Sequence, residues 1–340
     1  MNIAIIGAGL IGGKRASALS HFPGDALRVV CDVDLARAQE LASAHGCDAV
    51  ADWQDVVRRD DIDIVVNAVI NSVLEPITVA ALAAGKHVLC EKPLGRNADE
   101  AARMVTAAEQ AERVLKTGFN HRFHPAMLKA RKLLDTNAIG DVMVIRARYG
   151  HGSRPGMENE WRSSKDLCGG GELLDQGVHI IDLIRALGGD IADVYARVET
   201  KFWDIEVEDN AFALLGLRNG ATCQFHVSWT NWRNVFSFEI FGTQGYITIS
   251  GLGGSYGPET LEVGTRRAEG GRPDIEVFEF PSEDHSWREE WQDFRRAIDE
   301  QNVPSGSGRD GLMANRIVEA LYASSSSGIL VQLDKEHRIV

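Results

Sequence analysis

Positive charge is in deficit in this chain. Its 340 residues include 36 lysines and arginines against 49 aspartates and glutamates, a formal net charge of -13. A surface of that sign repels polyanions, which argues against nucleic acid and anionic membrane as partners. Cysteine is sparse as well. The five present, Cys31, Cys47, Cys90, Cys168 and Cys223, are scattered, odd in number and free of any C-x-x-C pair, so neither a disulfide framework nor a zinc cluster is expected, and no metal site is assigned. Cys31, Cys90 and Cys223 lie in apolar runs and read as small core residues. No apolar run reaches the roughly 20 residues that span a bilayer. Met1 leads directly into Asn-Ile-Ala-Ile-Ile-Gly-Ala-Gly with no basic head or small-residue cleavage site, and a cytoplasmic protein is expected. There is no internal repeat, and the one low-complexity stretch is Ser324 to Ser327.

What is present is globular in character, 44% hydrophobic and 25% charged. The length suits two domains of roughly 150 residues each. In the first 120 residues, compact runs rich in Val and Ile (Ile3 to Ile6, Arg28 to Cys31, Ile62 to Val69, His87 to Cys90) predict strands buried on both faces. Between them Asp34 to His45 and Asn97 to Glu112 carry Ala, Leu, Glu and Arg at helical spacing. This alternation predicts an α/β fold, a doubly wound parallel sheet over residues 1–122.

The texture then changes. Over 123–340, alternating or aromatic runs (Val142 to Tyr149, Ala211 to Leu217, Ala221 to Trp229, Phe236 to Phe241, Tyr246 to Ser250, Ile275 to Phe280) predict an α+β domain with a large, mostly antiparallel sheet. Helices are expected near Pro125 to Thr136, Gly171 to Leu187, Ser286 to Glu300 and Arg309 to Ser324. One face of such a sheet stays open, and Phe225, Trp229, Trp232, Phe236, Phe238 and Phe241 are candidates for a self-association surface.

Gly7-Ala8-Gly9-Leu10-Ile11-Gly12 fits G-x-G-x-x-G between a predicted strand and a predicted helix. Gly7 permits the tight turn, Gly9 lets backbone approach a pyrophosphate, and Gly12 lets helix and strand pack closely. Asp32 follows twenty residues after Gly12, at the end of the next strand, where a carboxylate accepts from adenosine ribose hydroxyls and disfavours a 2'-phosphate. NAD is therefore expected rather than NADP. Asp34 reads as the N-cap of the following helix.

Two further spots can carry chemistry. Glu91-Lys92-Pro93 closes the strand ending at Cys90, at the crevice beyond the strand ends where doubly wound sheets bind ligands. In Gly169-Gly170-Gly171-Glu172-Leu173-Leu174-Asp175-Gln176-Gly177-Val178-His179-Ile180-Ile181-Asp182, a helix places Asp175 and His179 on one face, a carboxylate beside an imidazole as a general base requires. A third stretch, residues 148 to 165, gathers Arg148, Tyr149, His151, Arg154, Trp161, Arg162 and Lys165, a composition suited to an anionic or hydroxyl-rich ligand.

With Ala84 to Pro93, Gly118-Phe119-Asn120-His121-Arg122-Phe123 and Trp161-Arg162 added, the chain resembles the Gfo/Idh/MocA oxidoreductase family over nearly its whole length. The resemblance implies Lys92, Asp175 and His179 as the catalytic set. It implies a nicotinamide dinucleotide held by Gly7, Gly9, Leu10, Ile11, Gly12, Asp32, Val69, Asn71, Glu91 and Lys92, and a sugar or polyol held by Asn120, Arg122, Arg154, Trp161 and Arg162. It also implies a homodimer or homotetramer built through the open sheet. One departure stands out: where many members read Thr-Pro-Asn-x-x-x-His, this chain has Val69-Ile70-Asn71-Ser72-Val73-Leu74, without the Pro and the His. The expected reaction is NAD-dependent hydride transfer at a secondary alcohol or ketone. An NAD-retaining glycosidase and a non-catalytic NAD-binding regulator are the alternatives on the same fold.

Overall fold

The computed structural model describes residues 1–281 and 283–340. By backbone contacts the chain divides into two compact units. One comprises Met1–Phe119, Asp166–Gly169 and Trp287–Leu312; the other comprises Asn120–Lys165, Gly170–Ser286 and Met313–Val340.

The first unit carries a six-stranded parallel sheet built from β1 (Asn2–Ile6), β2 (Ala26–Cys31), β3 (Asp48–Val50), β4 (Ile64–Asn67), β5 (His87–Cys90) and β6 (Leu115–Thr117), in the order β3-β2-β1-β4-β5-β6. The connections hold α1 (Leu10–Leu19), α2 (Leu35–His45), α3 (Trp53–Val57), α4 (Asn71–Ala83) and α5 (Ala98–Ala111). Central strands are buried on both faces, which is why their sequences are unbroken apolar runs. Helix ends follow local chemistry: Asp34 caps α2 through the backbone N–H groups of Ala36 and Arg37, and Asn97 caps α5 through that of Glu100.

The first unit also takes in chain from beyond the expected boundary at residue 122. In α9 (Ser286–Glu300), Trp291, Phe294 and Ile298 recur at helical spacing and pack with Ile3, Ile5, Leu19, Ile64, Val66 and Leu89. An amphipathic helix shows that it needs a partner surface, but its sequence does not say which.

The second unit is organised on a nine-stranded sheet. Its strands are β7 (Val142–Gly150), β8 (Ile191–Glu199), β9 (Asn210–Leu217), β10 (Thr222–Ser228), β11 (Val235–Gly242), β12 (Gly245–Ser250), β13 (Thr260–Thr265), β14 (Asp274–Glu279) and β15 (Val331–Gln332). Their order is β14-β13-β12-β11-β7-β10-β9-β8-β15. Every neighbouring pair is antiparallel except β7 with β10. The helices α6 (Pro125–Asp135) and α8 (Val178–Gly188) belong to this unit, a short α7 spans Lys165–Cys168, and the division between the units falls within α10 (Gly308–Ser327).

Strand parity corrects the expected self-association set. Phe225, Trp229, Phe236 and Phe238 are buried, so they belong to the core of the unit. Apolar side chains left exposed on strands include Tyr195, Phe212 and Leu214 on β8 and β9, and Met143, Val144, Ile275 and Val277 on β7 and β14. Because side chains alternate along a strand, aromatic content locates a sheet but does not choose its face. Among the described residues, no helix is long and apolar enough to cross a membrane.

One buried charge cluster stabilises the first unit. Arg15 of α1 donates to Glu91 Oε1 from Nε (2.8 Å) and Nη2 (2.5 Å), and to Glu290 Oε2 of α9 from Nη1 (2.5 Å). Burial pushes the Glu290 carboxyl above its usual range even though Arg15 opposes it. Arg15→Met leaves two buried carboxylates without their counter-charge, so a loss of about 3–5 kcal/mol in unfolding free energy is expected. Chemical denaturation measures it, and a loss below about 1 kcal/mol, the value of an exposed pair, would contradict the assignment.

Candidate functional site

In the first unit the glycine loop has the geometry its sequence predicts. Gly7 adopts φ +101°, and its N–H donates to the Cys31 carbonyl at 2.8 Å. A Cβ at Gly7 would lie 2.4 Å from the Ala68 carbonyl oxygen, and one at Gly12 would lie 1.9 Å from the Gly7 carbonyl oxygen. Both positions exclude any side chain. A Cβ at Gly9 would meet nothing within 4 Å, so its outer face is open. Gly9 opens α1 without a side-chain cap, and its neighbour Leu10 is exposed. Backbone N–H groups at this helix start are thus available to an anion.

Asp32 stands beside the loop with its carboxylate oriented by the backbone. Oδ2 accepts from Ala8 N at 2.8 Å and Oδ1 from Asp34 N at 3.0 Å. Each oxygen retains acceptor capacity for a hydroxyl. An open glycine, an uncapped helix start and a fixed carboxylate fit a dinucleotide. A 2'-phosphate would meet the carboxylate's charge.

The other expected cofactor residues divide. Val69 lies in the turn between β4 and α4, at the end of the sheet where the glycine loop also lies. Asn71 is buried at the start of α4, and its Nδ2 donates to the Cys168 carbonyl at 2.8 Å, so its amide serves an internal contact. Glu91 is engaged by Arg15 in an internal ion pair. Its neighbour Lys92 is half-buried just beyond β5, and the Lys92–Pro93 bond is cis.

In the second unit the stretch from Glu172 to Asp182 is helical, as its spacing predicts, but it opens on a π-helical turn, Leu173–Gly177, before α8. A π turn closes one residue later than an α turn, a widening common at functional sites. Glu208 anchors its start: its carbonyl accepts from Glu172 N at 2.9 Å and its Oε1 from Leu173 N at 3.0 Å. The Asp175 carboxylate lies 3.9 Å from Arg162 Nε. His179 is only 4% exposed, and its ring lies flat on that of His121, centres 3.7 Å apart.

Around these rings sits a set of groups, of which sequence reasoning assigns Tyr256 and Gln176 no role and counts Tyr149 and His151 only as part of a ligand-binding loop. His121 Nε2 is 3.0 Å from the Tyr149 hydroxyl, the Tyr149 and Tyr256 rings lie 5.0 Å apart, and Gln176 Nε2 donates to the Tyr256 hydroxyl at 2.9 Å. Burial raises the Tyr149 hydroxyl well above its ordinary value and pushes Tyr256 up to about 12, so both remain protonated near neutrality. Burial also holds His151 below the usual histidine range, opposed by Asp175 and reinforced by Arg162 and Arg154. Tyr149 belongs to β7 and not to a loop, and its inward parity was the available signal.

The expected substrate residues also divide. Trp161 carries Arg162 over its ring, 4.4 Å from the centroid. Arg154 is exposed and donates to Glu160 from Nη2 at 2.6 Å. Asn120 is buried, with Nδ2 donating to Ser286 Oγ at 2.9 Å. Arg122 makes a forked pair with Asp182, 2.7 Å from Nε and 2.5 Å from Nη2. Asn120 and Arg122 therefore build the unit from within. Among the described residues no group of His, Cys, Asp and Glu side chains could hold a metal ion.

Comparison with known proteins agrees with this geometry. Residues 1–119 match the model for an oxidoreductase family with an NAD-binding Rossmann fold, and residues 127–248 match the GFO/IDH/MocA C-terminal domain. A levoglucosan dehydrogenase of Pseudarthrobacter phenanthrenivorans is 28% identical, over 74% of this chain and 73% of its own. A myo-inositol 2-dehydrogenase of Thermotoga maritima is 28% identical, over 92% and 93%. A solved levoglucosan dehydrogenase in complex with NADH superposes with a TM-score of 0.90 at 26% identity, covering 98% of both chains.

The Asp32 geometry makes a quantitative expectation. Tryptophan-fluorescence titration should give at least about tenfold tighter binding of NADH than NADPH, a difference of about 1.4 kcal/mol. Asp32→Ser should narrow that ratio chiefly by improving NADPH binding. Equal affinity for the two in the unaltered chain would refute the role given to Asp32.

Proposed function

Because the chain belongs to the Gfo/Idh/MocA oxidoreductase family, we propose that it transfers hydride between NAD and a secondary alcohol or ketone of a sugar, sugar derivative or polyol. The observation that carries this reading is His179: a buried imidazole in the first turn of α8, directly after the π-helical turn that presents Asp175, stacked on His121 and beside the Tyr149 ring. When bound, the nicotinamide supplies the acceptor or donor of hydride. His179 takes the hydroxyl proton, because an imidazole titrates near roughly pH 6.5 and a lysine near 10.4. Asp175 supports the charged imidazole, and the Lys92 ammonium stabilises the developing alkoxide.

The charge pattern narrows the substrate. Arg154 is engaged with Glu160, and Arg162 lies 4.0 Å from Glu160 and 3.9 Å from Asp175. With carboxylates already matched to these arginines, the loop supports an uncharged, hydroxyl-rich substrate over an acidic one. The Trp161 ring offers an apolar face of the kind that packs on sugar C–H groups.

The same reading makes the chain a homodimer or homotetramer. Its open sheet face holds a depression of about 720 Å³ whose lining includes Tyr195, Phe212, Leu214, Arg146 and Glu239. Apolar groups ringed by paired charge suit a second copy. Dependence on a dinucleotide of the cell interior supports a cytoplasmic protein.

A spectrophotometric screen of neutral sugars, sugar acids and inositols with NAD tests the proposal. On the best substrate, His179→Ala or Lys92→Ala should lower turnover by about 10²- to 10⁴-fold, the usual contribution of a positioned proton-transfer group, while NADH binding persists. Near-normal turnover in both variants, or tight NADH binding with no turnover of any compound, would overturn it.

A further inference from the structure

The second unit holds another imidazole that the proposed reaction leaves unused. His121, buried in the 3-10 turn Asn120–Phe123, stacks on His179 with the ring planes 17° apart. Its Nδ1 lies 3.1 Å from Asn120 Oδ1 and its Nε2 lies 3.0 Å from the Tyr149 hydroxyl. The neighbouring chain fixes which atoms donate. Ser286 Oγ donates to Asp284 Oδ1 at 2.6 Å, and Asn120 Nδ2 donates to Ser286 Oγ at 2.9 Å. Asn120 Oδ1 is therefore the acceptor, and His121 Nδ1 carries a hydrogen. Nε2 faces the Tyr149 hydroxyl, which can accept as well as donate. A protonated His121 thus keeps both hydrogen bonds of the neutral ring.

Two cationic rings at 3.7 Å repel, so the pair titrates in two well-separated steps. We propose that His121 is a positioning residue for the base: it takes the one proton that the stacked pair carries, and so keeps His179 uncharged and ready to accept the substrate's proton. This rests on the reading of His179 as the base.

The groups facing the pair agree with that order. Tyr149 approaches from β7, and Tyr256 approaches through Tyr149 from the segment between β12 and β13. His124 meets His121 edge-on at 5.6 Å and has its own carboxylate partner, Glu259, at 3.1 Å. Asp284, at the end of the chain through Ser286 and Asn120, lies on the His121 side and favours charge there. Glu172 and Asp175 act on Tyr149 and Tyr256, and Phe236 meets the His121 ring edge without charge. The carboxylates draw a proton to the pair, and the stacking limits it to one.

Ring NMR titrations of His121 and His179 in the full chain, in the unaltered protein, His121→Phe and His121→Gln, test this. His121 should protonate at higher pH than His179, and both variants should move the His179 titration upward by about one pH unit or more, as expected for strongly interacting sites. The acid limb of kcat/KM should move with it, with little change in KM. Glutamine retains polar partners for Asn120 and Tyr149, so a shift common to both variants reports charge and not packing. A His179 titration unmoved in His121→Gln, or a native protein in which His179 protonates first, would overturn the inference. Turnover that survives His179→Ala would instead remove the base assignment, and the ring titrations would still decide whether the pair shares one proton.

Discussion

Arg15 is buried and must find its charge partners inside the protein. It finds two carboxylates, Glu91 at the end of β5 and Glu290 on α9, and through them joins three distant stretches of chain. Its own helix begins at the glycine loop, and Glu91 immediately precedes Lys92. The element that offers backbone N–H groups to a phosphate and the strand end that presents the ammonium are thus held by one guanidinium. Gly118 is part of the same arrangement: a Cβ there would lie 2.8 Å from both Arg15 Nη2 and Glu91 Oε2. A forked arginine suits the task because its planar donors set orientation as well as distance, which a lysine in its place would not.

The second unit solves a different problem, how to bury an imidazole among polar partners. Glu208 pins the start of the π-helical turn, and the turn delivers Asp175 toward Arg162 and His179 onto His121. Behind the rings, hydrogen bonds continue to Tyr149 and through Asn120 to Ser286 and Asp284. A buried polar network of this kind is stabilising only while its members are satisfied, and in return it specifies side-chain orientation closely.

Much of the first unit was legible because its signals are local. Buried parallel strands are continuous Val and Ile runs, Asp34 and Asn97 stand where caps must stand, and a Cβ at Gly7 or Gly12 would strike a backbone carbonyl. Asp32 was readable for the same reason, since its place follows from the spacing between a glycine loop and the next strand end. Other residues named from motifs turned out to be committed inward: Glu91 to Arg15, Arg122 to Asp182, Asn120 to Ser286, Asn71 to Cys168. A polar residue within a motif looks the same in sequence whether it faces a ligand or a neighbour. The strands β8 and β13 passed unread beside more aromatic ones, and the burial of Phe225, Trp229, Phe236 and Phe238 depended on sheet parity.

Taken alone, the order of amino acids determined the class of fold and the glycine-rich dinucleotide loop. Each of these depends on contacts within a few tens of residues, or on a spacing that backbone geometry dictates. Only the tertiary structure decided which charges are buried together, that α9 packs against the first sheet, which face of the large sheet keeps its apolar groups in water, and that a second imidazole covers His179. Those outcomes rest on side chains far apart in the chain, such as residues 15 and 290 or 120 and 286. Their pairing follows from how the elements pack, and no local pattern records it.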